Sequence, residues 1–321
     1  MFHPTLSKSG RFFFAPIIKF CEYLGNHYPA VLLRLRYRFV FGKGIDLKNP
    51  KDLNEKIIWS KLYSDTTRWV DLADKYKVRD YVESLGLADI LVKLYDVWYS
   101  ADDVRFDRLP DRFIIKANNG DGKGTNKIIR KNADSTDQEN EVRQTVRQWL
   151  SRKNIGSLHA EPHYNKMKPC VVVEEVLPLK EGESSLTDYK LWCINGKCHY
   201  IWVCGNRNAT GNSAEVMTYD RDWKAHPEFS VFNSDYKQAD EMPRPENLNK
   251  MIDVAERLSK GFPILRVDLY NIDGKIYFGE LTFTSQGGFM DFFTEDFLIL
   301  MGDKVRISDF PKKISGIESK G

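Results

Sequence analysis

The stretch Arg266-Val-Asp-Leu-Tyr-Asn-Ile-Asp-Gly-Lys-Ile-Tyr-Phe-Gly-Glu280 decides how the rest of the chain is interpreted. Two runs rich in β-branched and aromatic residues flank Asn-Ile-Asp-Gly-Lys, which predicts a hairpin. Asp268 and Glu280 each lie six positions from Gly274, so a symmetric hairpin sets them side by side on one face. Carboxylates about 5 Å apart across a sheet repel each other unless a cation lies between them. Oxygen-only ligands of this kind suit Mg²⁺ that is held partly by substrate phosphates. The alternative interpretation of the two carboxylates is a solvated strand face that carries two unrelated acids.

The composition of the chain limits the classes of protein that it can represent. With 321 residues and 42% hydrophobic content, the chain is long enough to bury a sizeable core in two or three lobes. A formal net charge of +3, with basic and acidic residues mixed along most of the chain, argues against nucleic-acid binding. The five cysteines include no C-x-x-C pair and fit a reducing compartment better than a disulfide framework. Because no secretory signal and no bilayer-length apolar run is visible, the sequence predicts a soluble cytoplasmic protein.

Residues 11–41 differ in character from the rest of the chain. They combine aromatic residues with cations, and Glu22 is their only acid. A basic, aromatic, amphipathic segment is able to lie in a membrane interface. A pair of helices packed on the main body is the alternative, and it is favoured because apolar and basic residues alternate over 33–39, which does not fit one helical face. The sequence predicts a helical N-terminal segment over 1–44 and leaves peripheral contact with the inner membrane face as the second interpretation.

Hydrophobic periodicity separates a helical region from a region of strands and helices. Residues 50–100 have helical spacing, with a second helix that starts at Asp74 and ends at Gly86. A loop is predicted for residues 151–168. Strands are predicted at 113–117, 127–130 and 171–177, and in the hairpins 186–203 and 266–280; helices are predicted at about 137–150 and 246–259.

The loop Gly120-Asp-Gly-Lys-Gly-Thr125 is a candidate ligand-binding segment. Its three glycines let backbone N–H groups surround a polyphosphate, and Lys116 and Lys123 bring positive charge to the same place. No Gly-Lys-Ser/Thr opens a helix here, so the loop is not a P-loop, and its position between two strands excludes the dinucleotide fingerprint. A flexible hairpin tip is the alternative interpretation.

An apolar strand that ends in acids, Val171-Val-Val-Glu174-Glu175-Val-Leu177, is a second candidate. Such a strand is able to run along an adenine ring with its backbone groups paired to the ring edge. Taken alone, a core strand that meets solvent is the favoured interpretation. A further glycine-bearing loop, Thr284-Ser-Gln-Gly-Gly288, follows the acidic hairpin. The chain has no Gly-x-Ser-x-Gly elbow, so covalent acyl chemistry has little support.

In their order along the chain, these segments resemble an ATP-grasp enzyme. The order is Asp74-Lys75 at the head of a helix, Phe113-Ile-Ile-Lys116 before the glycine loop, the strand 171–177, and the hairpin 266–282 with its Gly279-Glu280-Leu-Thr282. Further stretches resemble the TupA-like branch, which is named for teichuronopeptide synthesis and occurs among bacterial capsule, O-antigen and cell-wall polysaccharide enzymes. These are Asp52-Leu-Asn-Glu-Lys-Ile-Ile-Trp-Ser-Lys-Leu-Tyr63, Leu72-Ala-Asp-Lys-Tyr-Lys-Val-Arg79, Asp188-Tyr-Lys-Leu-Trp192 and Gly279-Glu-Leu-Thr-Phe-Thr284.

The resemblance, which covers residues 45–290, implies an α+β ATP-grasp fold in which two lobes clasp ATP. The implied domains are the helical segment 1–44, a helical pre-ATP-grasp region 45–110, a small lobe 111–175 with the glycine-rich loop, and a large lobe 176–321 with the metal-binding hairpin. ATP and Mg²⁺ are the implied ligands. Thr282 stands where the superfamily usually has Asn, which weakens two-metal binding without excluding it. The residues implied to bind the nucleotide are Lys75, Lys116, Gly122, Lys123, Gly124, Glu174, Glu175, Val176, Leu177 and Asp188, and those implied to hold metal are Asp268, Glu280 and Thr282.

ATP-grasp enzymes generally activate a carboxylate as an acyl phosphate, which an amine then attacks. For the polysaccharide branch, the resemblance implies that the carboxylate of a uronic-acid-containing sugar or glycan is joined to an amino acid or other amine. Arg266, Lys190 and Arg207 are candidates for steadying the acyl phosphate. An ATP-dependent kinase of a sugar or glycan hydroxyl is the first alternative. A capsule-locus glycosyltransferase, for which no convincing Asp-x-Asp site is present, and a non-enzymatic glycan-binding module are the others.

Overall fold

The computed structural model describes residues 8–120, 124–131, 135–179, 183–207 and 213–313, which form the α+β arrangement that the sequence predicts. The α-helices are α1 (Lys8–His27), α2 (Pro29–Phe41), α3 (Leu53–Tyr63), α4 (Trp69–Leu72), α5 (Val78–Ser84), α6 (Ser135–Leu150), α7 (Pro162–Lys166), α8 (Leu248–Ser259) and α9 (Glu295–Gly302). The strands are β1 (Leu94–Trp98), β2 (Arg112–Ala117), β3 (Asn126–Arg130), β4 (Val171–Glu175), β5 (Asp188–Ile194), β6 (Lys197–Gly205), β7 (Ala214–Asp220), β8 (Tyr236–Gln238), β9 (Ile264–Ile272) and β10 (Lys275–Thr282).

A small antiparallel sheet has the strand order β1-β4-β2-β3. Its described core residues all lie between positions 95 and 173, and Val142 and Val146 of α6 are buried in the same cluster as Phe113 and Ile115 of β2. The chain enters this sheet at β1 and leaves it from the neighbouring strand β4. At that point the backbone N–H of Glu175 donates to the carbonyl oxygen of Lys93 at 2.9 Å. The small sheet therefore has its own core and one place where the chain enters and leaves.

A larger sheet has the strand order β10-β9-β5-β6-β7-β8, in which only the β7–β8 pair is parallel. The alternation of side chains along β9 separates its two faces. Leu265, Val267 and Leu269 lie in the hydrophobic cluster that includes the apolar face of α8. Arg266 and Asp268 consequently point to the opposite face of the sheet, which is the face that carries the candidate site.

Helix α2 has two apolar faces. Leu33 and Tyr37 are buried against the body in a cluster with Phe289, whereas Leu35 and Phe39 are 60% and 74% exposed. Apolar residues two positions apart therefore lie on opposite sides of the helix, one side facing the body and the other facing solvent. Packing of one face on the body is what the bracing interpretation predicts, and it leaves the second face exposed. Among the described helices, we find none with both the length and the apolar character needed to cross a bilayer.

Three predictions about local structure are wrong in detail. Residues 94–98 form β1, although they lie in the region predicted to be helical, because pairing with β4 outweighs local periodicity. The predicted loop 151–168 contains a 3-10 turn (Ser157–His159) and α7, which begins at Pro162, where a proline removes no helical hydrogen bond. Strands β7 and β8 lie where the sequence predicts no strand.

Candidate active site

The hairpin of β9 and β10 has a two-residue tip. Asp273 and Gly274 both have positive φ (50° and 80°), as a type I′ turn requires. A regular ladder from this tip would place Gly279 opposite Asp268, but a bulge at Gly279 brings Glu280 opposite Asp268 instead. A Cβ atom on Gly279 would lie 2.9 Å from the carbonyl oxygen of Asp268, so the bulge needs glycine. The predicted pairing of Asp268 with Glu280 is confirmed, and its cause is the bulge rather than symmetry about Gly274.

Asp268 is a buried carboxylate held by two cations. The guanidinium of Arg266 donates from Nε to Oδ1 and from Nη2 to Oδ2, each at 2.7 Å, and Nζ of Lys190 donates to Oδ2 at 2.6 Å. Burial alone would raise the pKa of Asp268, but the charges of Arg266 and Lys190 outweigh it and lower that pKa below its ordinary value. The aspartate is therefore ionised and oriented.

Glu280 is the more accessible member of the carboxylate pair, with a side chain 42% exposed against 4% for Asp268. Nη2 of Arg266 lies 3.3 Å from Oε1 of Glu280 while it donates to Asp268, so this guanidinium lies between the two acids. The pair therefore does not by itself require a metal ion, which corrects the inference from sequence. Thr282 also contacts this group, since its hydroxyl accepts from Arg266 at 3.0 Å and lies 3.3 Å from Glu280.

The oxygen atoms of Asp268, Glu280 and Thr282 are the donor set that the resemblance implies for Mg²⁺. Among the residues that the structure describes, no group of three or more His, Cys, Asp and Glu side chains is arranged to hold a metal ion. Two carboxylates and a hydroxyl are nevertheless chemically suited to Mg²⁺, which usually takes only one or two protein carboxylates and completes its shell with phosphate and water. The residues present fit such an ion, with Glu280 as the accessible ligand.

A second ion-pair group lies at the start of β5, next to the first. Asp188 accepts from Nη2 of Arg207 at 2.7 Å and lies 3.6 Å from Nζ of Lys190. The half-buried Tyr270 has a raised pKa, chiefly because of the negative charge of Asp188. Lys190 thus joins Asp188 to Asp268, and its pKa is raised because these two carboxylates outweigh the effect of its burial.

Lys75 lies between Glu280 and the start of the glycine loop. Its Nζ donates to the carbonyl oxygen of Gly120 at 2.7 Å and lies 3.7 Å from Oε2 of Glu280. Its backbone N–H donates to the carbonyl oxygen of Asn118, whose side chain binds Asp74 at 2.6 Å. Asn118, which the sequence interpretation missed, therefore anchors the Asp74-Lys75 pair to the end of β2.

Two described positions of the glycine loop favour glycine, Gly120 because of close packing and Gly124 because of its backbone conformation. A Cβ atom on Gly120 would lie 2.4 Å from Oγ1 of Thr125, and Gly124 has a φ of +76°, so each position favours glycine for a steric reason. Gly122 and Lys123 lie outside the described residues.

Lys116 and Glu174 form a separate group in the small sheet. Nζ of Lys116 donates to Oε2 of Glu174 at 2.8 Å, and Nη1 of Arg79 donates to Oε1 at 3.2 Å. Arg79 also donates to the carbonyl oxygen of Val92 at 2.9 Å. The sequence interpretation missed Arg79, although this residue ends the stretch 72–79, one of those that resemble the TupA-like branch.

The remaining predicted nucleotide contacts lie at the junction of the two sheets. Glu175, the last residue of β4, is exposed, Val176 is half-buried, and Leu177 is buried in a small cluster with Val92 and Ile272. Residues 176–187 then link β4 of the small sheet to β5 of the large sheet.

The loop that follows β10 is held from several sides. Nη1 of Arg266 donates to the hydroxyl of Ser285 at 2.7 Å, and Thr284 donates to Glu161. Lys61 of α3 is fully buried and donates to the carbonyl oxygen of Gly287 at 2.6 Å, and burial lowers its pKa to about 8. Gln286 adopts a positive φ of 48°, so this loop is constrained.

A small antiparallel sheet and a larger, mostly antiparallel sheet, with Lys75 near a carboxylate pair on the larger one, are the arrangement that the resemblance to ATP-grasp enzymes implies. The family model described as "TupA-like ATPgrasp" matches residues 55–306, and the chain belongs to this family. It is thus a member of a superfamily of ATP-dependent carboxylate–amine ligases. Helices α1 and α2 lie outside the matched residues.

Solved structures of ATP-grasp ligases resemble this fold. D-alanine–D-alanine ligase from Bacillus anthracis is 14% identical with a TM-score of 0.44, and the match covers 76% of this chain and 70% of that one. The D-alanine–D-alanine ligase from Helicobacter pylori is 14% identical with a TM-score of 0.42, covering 82% and 68%. D-cycloserine synthetase DcsG is 12% identical with a TM-score of 0.43, covering 74% and 69%. No curated protein sequence matches the chain.

Proposed function

We propose that this protein is an ADP-forming carboxylate–amine ligase that makes an amide bond on a bacterial surface polysaccharide or its precursor. The supporting observation is one continuous series of charged contacts across the candidate site. It runs from Arg207 through Asp188, Lys190, Asp268, Arg266 and Glu280 to Lys75. Such a series brings cations from the large sheet, together with Lys75, which also donates to the carbonyl oxygen of Gly120 in the small lobe, to the place where an anionic phosphoryl group would be transferred.

In this proposal the carboxylate of the substrate attacks the γ-phosphorus of ATP, which gives an acyl phosphate and ADP. The amine then attacks the acyl carbon, phosphate leaves, and the nitrogen loses a proton. Arg266, Lys190 and Arg207 would stabilise the negative charge of the acyl phosphate, since they already neutralise carboxylates in the same place. No side-chain base is needed if the amine arrives deprotonated.

Nucleotide binding is proposed for both lobes. Lys75 and Lys116 would bind the phosphates together with Lys123 and Gly122 to Gly124, while Glu174 to Leu177 would face the adenine and Asp188 the ribose. Mg²⁺, held by Asp268, Glu280 and Thr282, would supply charge neutralisation for phosphoryl transfer. The 42% exposure of Glu280 supports this assignment, because a ligand of a transiently bound ion must be accessible.

The proposed substrates are a uronic-acid-containing sugar or glycan and an amino acid or other amine. This choice rests on family membership, since the TupA-like branch occurs among capsule, O-antigen and cell-wall polysaccharide enzymes. We further propose that the reaction takes place in the cytoplasm, at the inner face of the membrane, where ATP and glycan precursors are both available.

The test is an incubation of the full chain with ATP, Mg²⁺, glucuronic or galacturonic acid, and a pool of amino acids. A ligase is expected to release ADP and phosphate and to give a product whose mass increases by the amine minus water. A phosphorylated sugar would instead indicate a kinase. Turnover that ignores ATP would indicate a glycosyltransferase, and no product with any acceptor, despite glycan binding, would indicate a binding module. Asp268→Asn in parallel controls for contaminating ATPases.

A further inference from the structure

The exposed surface of the two N-terminal helices is unusually apolar. Among the described residues, seven of the thirteen large hydrophobic side chains that are exposed lie in α1, in α2 or at Tyr28 between them. We call this set the N-terminal apolar face; it consists of Ile17, Phe20, Tyr23, Tyr28, Val31, Leu35 and Phe39. Contiguous exposed apolar surface of this kind marks an interaction site on most soluble proteins.

The residues of the N-terminal apolar face form one connected strip. On α2, Val31, Leu35 and Phe39 follow each other at four-residue intervals, which places them along one side of the helix. On α1, Ile17, Phe20 and Tyr23 are spaced by three residues. The rings of Tyr23 and Tyr28 lie 6.1 Å apart and join the strip of α1 to the start of α2.

Cations accompany this strip, and acids are nearly absent from it. Lys19, Arg34 and Arg38 are exposed, whereas Arg36 turns inward and donates to the carbonyl oxygen of Leu158 at 2.6 Å. Residues 8–41 contain six Lys and Arg and the single acid Glu22. Since the whole chain has a net charge of only +3, the rest of the sequence is slightly acidic, and the excess of positive charge lies in the segment that carries the apolar strip.

We propose that the N-terminal apolar face docks on the surface of an anionic phospholipid bilayer. Aromatic and aliphatic side chains flanked by arginines are the composition of helices that lie in the plane of a membrane interface, where anionic headgroups attract the cations. A second copy of the chain fits less well, because a two-fold contact through this strip would bring Arg34 and Arg38 of both copies together without opposing acids. This docking is independent of the proposed reaction.

The inward face of α2 makes the proposal testable with point variants. Leu33 and Tyr37 anchor α2 to the body, so outward residues can be changed without removing that anchor. One variant, Leu35→Ser with Phe39→Ser, removes apolar surface. A second, Arg34→Gln with Arg38→Gln, removes charge. The matched control, Ile128→Ser with Ile299→Ser, removes two exposed apolar side chains elsewhere on the molecule.

The measurement is co-flotation of the full chain with phosphatidylcholine vesicles that contain about one-third phosphatidylglycerol, compared with phosphatidylcholine alone. The full chain and the control are expected to float with the anionic vesicles only. Each α2 variant is expected to bind about tenfold more weakly, with an unchanged thermal midpoint. A full chain that stays at the bottom at low salt, or that binds neutral vesicles equally, overturns the proposal. The proposal is also overturned if the α2 variants bind vesicles as well as the control does, or if they unfold at a lower temperature than the full chain. A full chain that is a dimer in solution, and that becomes a monomer when Leu35→Ser and Phe39→Ser are introduced, would likewise overturn it.

Discussion

Two buried acids, one in each sheet, are each held between an arginine and a lysine, but their surroundings differ. Asp268 in the large sheet receives both partners from the same sheet, since Lys190 lies directly opposite it on β5 and Arg266 is two residues away on β9 itself. The side chains of all three are nearly inaccessible to solvent. This group is part of one rigid sheet.

Glu174 in the small sheet receives its partners from two different parts of the molecule. Lys116 comes from the adjacent strand β2, whereas Arg79 comes from α5, which packs with the large sheet. The side chain of Lys116 is 27% exposed, more than any member of the Asp268 group. Because Glu174 connects the two lobes and Lys116 is accessible, we expect this group to rearrange around a ligand while the Asp268 group stays in place.

Replacing Asp268 should have the largest effect, because it removes the carboxylate on which the rigid group in the large sheet depends. Asp268→Asn is expected to lower turnover by at least about 100-fold and also to destabilise the fold by about 3–5 kcal/mol, because Arg266 and Lys190 would stay buried without a counter-charge. Steady-state ADP release and urea unfolding measure the two effects. The sequence alone predicts that the fold survives this change, since relieving a carboxylate pair costs no core packing. A variant as stable as the wild type would support that simpler prediction.

Glu280→Gln separates activity from stability. The same loss of turnover, about 100-fold, is expected, but stability should change by less than about 1 kcal/mol, because Glu280 is partly exposed and Arg266 keeps its contacts with Asp268. The same two assays apply. Near-normal turnover with Mg²⁺ would contradict the metal assignment.

The smaller sheet gives the next prediction. Lys116→Ala should weaken binding of a non-hydrolysable ATP analogue by about tenfold in a calorimetric titration, because a phosphate ligand is lost. Lys127→Ala, which changes an exposed lysine on β3, is the matched control. Unchanged affinity in the Lys116 variant would mean that the nucleotide lies elsewhere.

The smallest expected effect is a pH dependence of stability, which tests whether Asp268 in the large sheet is ionised and paired. The pKa of Asp268 is lowered below its ordinary value of 3.8, so its stabilising contribution is fully present above that value and is lost as pH falls through the folded-state value. The stability difference between wild type and Asp268→Asn should therefore be constant near neutral pH and shrink below about pH 4. Urea unfolding at a series of pH values measures it. A difference that stays constant into strong acid would argue against an ionised, paired Asp268.

The site was predictable from sequence where it depends on local spacing. Asp268 and Glu280 face each other because a hairpin brings nearby residues together, and the Asp273-Gly274 tip is readable from composition. The bulge at Gly279 could not be predicted from the sequence, since a single glycine in a strand does not distinguish a bulge from a regular strand position. The sequence indicates Lys190 and Arg266 as candidates for steadying the acyl phosphate, but it does not show that they are partners of Asp268.

Contacts between distant segments escaped prediction for a different reason. Arg79 reaches Glu174 across 95 positions, and β1 is a strand only because β4 lies beside it. Neither fact leaves a periodic trace in the sequence. The two faces of α2 are an intermediate case: the alternation over 33–39 was visible, but only the body against which Leu33 packs shows which residues point inward.

The adjacency of β1 and β4 has a consequence for how the chain is organised along its length. Leu94 pairs with Glu174, so the two ends of the small lobe lie side by side, and among the residues that the structure describes its hydrophobic cluster includes none outside 94–175. Residues 94–175 therefore have the form of an inserted module whose ends already meet. Domains whose ends lie close together commonly tolerate circular permutation and insertion into another chain.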